Sequence, residues 1–254
     1  MKKLACVIAG LMSVGVFAAG TASTAKVVRV GFSAEPYPPF SYKSPDGKWT
    51  GFELQMQHAA CKAAGMDCEP TPTAWSGIIP ALTIGKIDAI MNSVTITPER
   101  LKKIDFSRPY FVQHLEFVAP TGMALGTPAD LKGKLLGVQG ATLAATFTHQ
   151  KLVPLGVQVK IYNTQEQLSR DLEAGRVDLM IAENVYTTGY VKTHKGMHEV
   201  AVPGAPLQKV AVGLRKGDTS LEKKFNAGIE AVLKDGTCRR LSEQFVGFDV
   251  CPQP

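Results

Sequence analysis

The chain has 254 residues and a formal net charge of +6, and 45% of its residues are hydrophobic while 20% are charged. This composition is typical of a folded globular protein and excludes a disordered chain, a collagen and a coiled coil. A chain of this length is expected to form one or two domains. The basic residues are scattered rather than gathered in a tract with interleaved aromatic residues, so we expect no nucleic-acid partner.

The amino terminus has the pattern of a secretory signal peptide. Two lysines precede a charge-free apolar run from Leu4 to about Ala19, and small residues follow as far as Ala25. This order predicts export and cleavage after Ala25. A membrane anchor is the alternative, but glycines interrupt the run and it is short for spanning a bilayer. We therefore expect residues 1–25 to be a signal peptide and the mature protein to be periplasmic.

The cysteine content agrees with export. Cys6 falls in the predicted signal peptide, and the four cysteines that remain are an even number, which in an exported protein predicts disulfides. Nearest neighbours are expected to pair, Cys61 with Cys68 and Cys238 with Cys251. Neither pair has the CxxC spacing or the nearby histidines of zinc and redox sites, so we predict no metal site.

The elements after residue 25 alternate between strands and helices. KVVRVGF (26–32) is a β-branched run that predicts a strand, and PDG at 45–47 predicts a turn. Residues 51–65 carry apolar side chains at helical spacing and end at Gly65, which suits a helix terminus. Strands that alternate with helices indicate an α/β fold with mainly parallel sheets.

Two patterns occur twice in the chain. GKIDAIMNS begins at Gly85 and GRVDLMIAE at Gly175, and each passes through a short apolar strand to a polar residue, Ser93 or Glu183. VVRVGFSAEPY and KLLGVQGATLA form a second pair, in which a strand opens into a loop. Ligands of α/β sheets bind outside the carboxyl ends of the strands. The repeats therefore predict two similar lobes with a binding cleft between them.

The segment TITPER places an arginine where a cation is disfavoured. Thr97 caps a predicted helix whose first residue is Pro98, so Arg100 falls in its first turn. The helix dipole disfavours a cation there by about 0.3–1 kcal/mol. An anionic partner would offset this cost, and the planar guanidinium group suits a carboxylate held by two hydrogen bonds. A surface salt bridge to Glu99 or Asp105 is the alternative.

A series of motifs covers the chain after residue 25 nearly end to end: VGFSAEPYPPF, GFELQM, CKAAGMDC, WSGIIPALTIGKIDAIMNSVTITPER, FSRPY, LKGKLLGVQGAT and DGTCRRLSEQFVGFDV. In this order they resemble the periplasmic amino-acid-binding proteins of ABC importers, the solute-binding family 3 that includes lysine/arginine/ornithine- and histidine-binding proteins. The resemblance implies a type II periplasmic-binding-protein fold, with two Rossmann-like lobes joined by a two-strand hinge. Lobe 1 would comprise residues 26–112 and 210–254, and lobe 2 residues 113–209.

The resemblance also implies how the two ends of an amino acid would be bound. Arg100 resembles the arginine that binds the ligand α-carboxylate, and Thr142 the contact to that carboxylate from the second lobe. Ser93 and Thr95 resemble residues that add hydrogen bonds to the carboxylate and ammonium ends. Glu183 stands where lysine-type binders generally place an aspartate to pair with the α-ammonium group. The Cys61–Cys68 spacing matches a disulfide of the family.

The residues around the ligand side chain match the family less closely. Tyr37 and Trp75 match aromatic positions that sandwich the side chain, although Trp75 alone would equally suit the core. Asn92 stands where binders of basic amino acids often have serine, and Leu143 where they often have glutamine. The loop before Tyr37 is one residue longer, so Glu35 either occupies or misses their acidic, side-chain-sensing position. A desolvated ligand cation needs a nearby anion, and Glu35 is the obvious candidate.

We therefore expect a monomeric periplasmic receptor for a polar, cationic amino acid of the arginine, lysine, ornithine or histidine class, which delivers it to an inner-membrane ABC permease and its ATPase. An opine or other amino-acid derivative is an alternative ligand. A soluble chemoreceptor sensor would share the same site, and an enzyme similar to cyclohexadienyl dehydratase would share the fold. HExxH, GxSxG, P-loop and GxGxxG motifs are absent and the histidines are isolated, so no catalytic residue or cofactor is predicted.

Overall fold

The computed structural model of the protein describes residues 26–125 and 127–252, so the predicted signal peptide and Cys6 lie outside the described residues. The strands within these ranges are, in chain order, β1 (Val28–Ser33), β2 (Tyr42–Lys43), β3 (Trp49–Thr50), β4 (Cys68–Thr73), β5 (Ala89–Ile90), β6 (Ile104–Gln113), β7 (Leu115–Pro120), β8 (Leu135–Gln139), β9 (Gln158–Tyr162), β10 (Leu179–Glu183), β11 (Met197–Ala201) and β12 (Gln208–Arg215).

Helices connect most of these strands. They are α1 (Phe52–Ala63), α2 (Ile78–Thr83), α3 (Pro98–Leu101), α4 (Leu143–Phe147), α5 (Gln165–Glu173), α6 (Asn184–Thr193), α7 (Thr219–Lys234) and α8 (Thr237–Phe245). Short 3-10 turns cover Trp75–Gly77, Pro128–Leu131 and Val153–Leu155, and α4 continues into a π turn over Thr148–Leu152.

The strands form two five-stranded sheets of the same design, besides a small β2-β3 hairpin. Sheet 1 has the order β4-β1-β5-β12-β6, and sheet 2, taken from its far edge, has the order β9-β8-β10-β7-β11. In each sheet the first three strands are parallel, and the fourth strand, β12 or β7, runs antiparallel to both of its neighbours, so the fifth strand has the direction of the first three. The predicted α/β class is confirmed. The strands of the two sequence repeats occupy equivalent places, β1 with β8 and β5 with β10.

The chain passes between the sheets twice. β6 ends at Gln113 in sheet 1, and β7 of sheet 2 begins after His114 alone. The return runs through residues 202–207, after which β12 begins at Gln208 in sheet 1. These crossings lie within two residues of the predicted lobe limits, which is the ordinary uncertainty of an element boundary. Gln113 and Gln208 therefore belong to sheet 1, not to the span predicted for the second lobe.

Close packing of helices supports sheet 1. Phe52, Met56 and Ala60 on one face of α1 are fully buried, and α1 packs against α7. A Cβ atom at Gly228 of α7 would lie 2.2 Å from the carbonyl oxygen of Ala60, so only glycine lets the two backbones approach this closely. This contact holds α1, and with it Glu53, firmly against the sheet.

Two disulfides close loops at the periphery of sheet 1. Cys61 near the end of α1 is bonded to Cys68, the first residue of β4. Cys238 in α8 is bonded to Cys251 in the carboxy-terminal segment. In the loop-entropy description, bridges of this length each stabilise the folded chain by about 2–3 kcal/mol. None of the helices in the described part of the chain has the length and hydrophobicity of a membrane span.

Candidate functional site

A cavity lies between the two sheets. It brings together all of the ligand residues predicted from the sequence: Glu35, Tyr37, Trp75, Asn92, Ser93, Thr95, Arg100, Thr142 and Glu183. Most of these follow the carboxyl ends of the repeated strands β1, β5, β8 and β10, which meet at one edge of each sheet. The sequence repeats thus account for the composition of the cavity wall, and the ligand roles stay predictions.

Arg100 is held in the cavity wall by backbone carbonyl groups. Thr97 caps α3 by accepting a hydrogen bond from the Arg100 backbone N–H at 3.2 Å, as expected from the sequence. The guanidinium Nη1 donates to the carbonyl oxygen of Thr95 at 2.9 Å, and Nη2 donates across the cavity to that of Ala141 at 3.2 Å. The guanidinium carbon lies 5.7 Å from the ring centre of Trp75. This stacking fixes the plane of the charged group.

Arg100 has no carboxylate partner within hydrogen-bonding range in the described part of the chain. The alternative salt bridge to Glu99 or Asp105 is not formed, since the Asp105 carboxylate instead contacts Lys216 at 2.6 Å. Burial lowers the pKa of the Arg100 guanidinium group from its usual value, and the negative charge of Glu183 opposes this effect. A desolvated cation that lacks a carboxylate partner favours an anion in the cavity.

Glu183 places a carboxylate on the sheet 2 side of the cavity. It is the last residue of β10, and its Oε2 accepts a hydrogen bond from the Tyr37 hydroxyl at 2.7 Å. Burial raises the pKa of the Glu183 carboxyl above its usual value, while the Tyr37 hydrogen bond and the charge of Arg100 oppose the rise. Tyr37 itself is stacked between Phe40 at 5.1 Å and Tyr186 at 4.9 Å. Tyr37 therefore joins the two sides of the cavity, besides lining it.

Glu35 places a second carboxylate on the sheet 1 side. Its Oε2 accepts hydrogen bonds from the Ser33 hydroxyl at 2.7 Å and from the Trp75 backbone N–H at 3.3 Å. These contacts keep the carboxylate in the cavity wall. The cavity therefore contains one guanidinium group and two carboxylates, supplied by Arg100, Glu35 and Glu183.

The small polar residues after β5 are ordered by neighbours outside the cavity. The Asn92 side-chain oxygen accepts from the Ser33 backbone N–H at 2.9 Å, which links the ends of β5 and β1. Ser93 has a left-handed backbone with φ of 52°, which is uncommon for a residue other than glycine. The Ser93 N–H donates to the buried carboxylate of Glu53 on α1. This hydrogen bond stabilises the Ser93 conformation.

Thr142 caps α4 on the sheet 2 side. Its hydroxyl accepts from the Ala145 N–H at 3.0 Å and donates to the carbonyl oxygen of Gln139 at 2.7 Å. Because the hydroxyl proton is used in this way, a ligand carboxylate at Thr142 would be bound through backbone N–H groups at the helix start.

Sequence reasoning missed several cavity residues. Gln139 is the last residue of β8 and occupies the place that Ser33 has at the end of β1, so the repeat offered a signal for both. Gln165 follows the cap residue Thr164 at the start of α5 and is only 4% exposed. Pro36 completes the loop between Glu35 and Tyr37. Gln139 and Gln165 add two neutral amides to the sheet 2 wall.

Glu53 predicts a pH dependence of folding. Its side chain is buried, its Oε1 accepts from the Ser93 N–H and the Tyr110 hydroxyl, and burial raises its pKa to about 7. A carboxyl group whose pKa is raised on folding stabilises the fold below its unfolded pKa, and this contribution is lost as the pH rises through the folded pKa. Between pH 4.5 and 7 the free energy of unfolding of the wild type is expected to fall by up to about 3 kcal/mol because of Glu53. We expect this fall to be absent in Glu53→Gln.

Urea unfolding of the wild type and Glu53→Gln at several pH values between 4.5 and 8 measures this difference. The difference between the two proteins in the slope of unfolding free energy against pH isolates Glu53, because the other titrating groups are common to both proteins. Parallel stability curves for the two proteins would contradict the assignment of a raised pKa to Glu53.

The residues that the structure describes contain no cluster of three or more histidine, cysteine, aspartate or glutamate side chains placed to bind a metal ion.

Known proteins are similar to this chain over most of its length. An L-arginine-binding protein of Pseudomonas aeruginosa is 38% identical over 259 residues, which cover 98% of both chains. An L-cystine-binding protein of Escherichia coli K12 is 36% identical over 216 residues, 84% of this chain and 80% of that protein. Among solved structures, an ancestral arginine-binding protein bound to arginine has a TM-score of 0.79 and 33% identity, covering 86% of this chain and 97% of that one.

These relatives are binding proteins. Residues 28–248 match the family described as bacterial extracellular solute-binding proteins, family 3. The match spans both sheets and both crossings between them, and it confirms the resemblance inferred from the motifs. The chain belongs to the bacterial extracellular solute-binding proteins of family 3.

Proposed function

We propose that the protein is a periplasmic receptor that binds a cationic amino acid, with L-arginine as the first candidate, and delivers it to an ABC permease and its ATPase. The proposal rests on the charged groups that line the cavity, which are one guanidinium group and two carboxylates. An amino acid with a cationic side chain has one carboxylate and two cationic groups. The two sets of charges are complementary, which favours this ligand over neutral or acidic amino acids.

Each charged residue has one role in this proposal. Arg100 binds the α-carboxylate, together with N–H groups at the start of α4. The hydroxyl oxygens of Ser93 and Thr95, whose protons are donated to other residues, accept from the α-ammonium group. Glu183 binds the α-ammonium group, and Glu35 binds the cationic end of the side chain. Trp75 already stacks on the guanidinium group of Arg100 and, together with Tyr37, covers the aliphatic part of the ligand.

The two lobes close on the ligand as rigid bodies. Lobe 1 is built on sheet 1, with residues 26–113 and 208–254, lobe 2 is built on sheet 2, with the residues between them, and the two crossings between the sheets form the hinge. The Tyr37–Glu183 hydrogen bond and the Arg100–Ala141 hydrogen bond join the lobes across the cavity. Only the closed state lets both walls contact one ligand, so binding shifts the population toward closure. The receptor acts as a monomer after removal of residues 1–25.

The amides of Gln139 and Gln165 favour a second candidate. Neutral hydrogen-bonding groups on the sheet 2 wall suit a ligand whose side chain is polar and has no net charge, and cystine, whose far half is a zwitterion, is the ligand named for one of the relatives. An opine would combine a secondary amine at Glu183 with a polar side chain. A catalytic role is not proposed, because the relatives named above are binding proteins.

Ligand binding decides among these candidates. Purified protein, unfolded and refolded to remove co-purified ligand, is tested by thermal shift and calorimetry with L-arginine, L-lysine, L-ornithine, L-histidine, L-cystine and octopine. We expect L-arginine to bind at one molecule per chain and to give the largest rise in Tm. A larger rise with L-cystine or octopine would replace the proposed ligand. Turnover of added prephenate would replace the receptor by an enzyme.

L-citrulline provides the matched control, because it has the shape of arginine without the side-chain charge. The wild type is expected to prefer L-arginine, whereas Glu35→Gln is expected to lose this preference and keep its affinity for L-citrulline. An unchanged preference in Glu35→Gln would remove Glu35 from the ligand site.

A further inference from the structure

Two glutamines face each other where the chain crosses between the sheets. Gln113 is the last residue of β6 and Gln208 the first of β12, and they are direct partners in the antiparallel register. Each is only 1% exposed. Burying an amide costs free energy unless its hydrogen bonds are made, and apolar side chains would fill such a position without this cost. The pair therefore calls for an explanation other than packing.

The two amides bind each other and the hydroxyls that line the cavity. The Gln113 Nε2 donates to the Gln208 Oε1 at 3.0 Å. The Thr95 hydroxyl donates to the same Gln208 oxygen at 2.8 Å, and the Ser93 hydroxyl donates to the Gln113 Oε1 at 3.4 Å. A free hydroxyl rotates to suit its surroundings. These two hydroxyls are instead tied to the crossings, although they lie in the cavity wall.

The network extends to the charged part of the site. The carbonyl oxygen of Thr95 accepts from Arg100 Nη1 at 2.9 Å, and Thr95 also forms a β-bridge with Val210, two residues after Gln208. A displacement of β12 at the crossing would therefore be transmitted to the backbone that holds the guanidinium group. The Nε2 of Gln208 has no hydrogen-bond partner within the described residues, so this amide is held by its oxygen alone.

We propose that Gln113 and Gln208 are positioning residues, which accept the protons of the Ser93 and Thr95 hydroxyls, hold the hydroxyl oxygens as acceptors for the ligand ammonium group, and connect them to the two hinge crossings. The inference deepens the proposed function and rests on it for the identity of the ligand. It assigns to the crossings a direct part in binding, because the same amides that pair the two hinge strands order the lobe 1 contacts to the ligand.

A double-mutant cycle with L-arginine tests the proposal. Gln208→Met and Thr95→Val are each expected to weaken binding about tenfold in calorimetry, which is the loss of one hydrogen bond. If Gln208 acts through Thr95, the double variant should bind L-arginine with about the same affinity as the single variant that binds it less tightly. Independent, multiplying losses, as a general effect on the fold would produce, would overturn the proposal, as would unchanged affinity in Gln208→Met. Gln113→Met with Ser93→Ala forms a second cycle if Gln208→Met fails to fold.

Gln57 offers a matched control. Gln57 lies in α1 beside sheet 1 and is also buried, with 1% exposure. Its side-chain nitrogen and oxygen have no hydrogen-bond partners among the described residues. Gln57→Met is expected to leave the affinity for L-arginine unchanged. An equal loss in Gln57→Met and Gln208→Met would show that any buried amide affects binding, and would overturn the specific role.

Hydrogen exchange supplies a readout that needs no ligand. In Gln208→Met, the amides of residues 92–97 are expected to exchange faster than in the wild type, while the amides of α7 exchange at the same rate. Unchanged exchange in residues 92–97 would overturn the inference even if L-arginine is the wrong ligand. If the wild type does not bind L-arginine but Gln208→Met exchanges faster at residues 92–97, the proposed ligand is rejected and the positioning role is retained.

Discussion

Arg100→Met is expected to weaken binding of L-arginine by about thirtyfold to several thousandfold while the protein stays folded. Removing one partner of a buried, hydrogen-bonded charge pair costs about 2–5 kcal/mol, and each 1.4 kcal/mol is a factor of ten in affinity. Arg100 is the only lysine or arginine among the cavity-lining residues that the structure describes. Without it, the ligand carboxylate would be desolvated with no cation to offset the cost. Calorimetry measures the affinity, and circular dichroism checks the fold.

Two further variants make this test specific. Arg100→Lys keeps the charge but loses the planar fork, so its affinity should fall between the wild type and Arg100→Met. Arg108→Met removes an exposed arginine that pairs with Glu230 outside the cavity, and it should bind like the wild type. Wild-type affinity in Arg100→Met would show that the carboxylate is bound elsewhere and would refute the site as described.

Glu183→Gln is expected to have the second-largest effect, a loss of affinity of about a hundredfold. The amide keeps the shape of the side chain and can still accept from the Tyr37 hydroxyl, but it does not neutralise the α-ammonium group. Glu173→Gln is the matched control. Glu173 contacts His194 and Tyr190 outside this cavity, so its replacement should leave the affinity unchanged.

The pH dependence of binding gives Glu183 a second signature. Because burial raises the pKa of the Glu183 carboxyl, its protonated form is populated at higher pH than for an ordinary glutamate. The protonated form lacks the charge that binds ammonium, so wild-type affinity should fall as the pH is lowered through this pKa. In Glu183→Gln this part of the pH dependence should be absent. An identical pH profile in both proteins would assign the ammonium contact to another group.

Part of the fold was predictable because its signals are local in the chain. GKIDAIMNS and GRVDLMIAE contain the equivalent strands β5 and β10, and VVRVGF and KLLGVQ the equivalent strands β1 and β8. Glycine stops and apolar runs mark such units without any knowledge of their neighbours. The antiparallel strands β6 and β12 carried no such repeat, and their partnership across the crossings could not be read from the chain.

The candidate site divides in the same way. Arg100 was predictable because its cap, Thr97, and its proline are adjacent in sequence. Glu53 was not, since nothing in GFELQM says that a glutamate in the first helical turn will meet the backbone of Ser93, 40 residues away. The Gln113–Gln208 bond joins residues 95 positions apart and depends wholly on strand register.

By itself, the sequence determined the α/β class, the family and nine of the residues that line the cavity, because periodicity, capping and contiguous motifs are properties of short segments. Only the tertiary structure decided that Arg100 has no carboxylate partner in the described chain, that Glu35 faces the cavity, and that the serine and threonine hydroxyls are tied to the crossings. Partners of a buried polar group are chosen by proximity in space, and proximity between distant segments is set by sheet order, register and packing rather than by position in the chain.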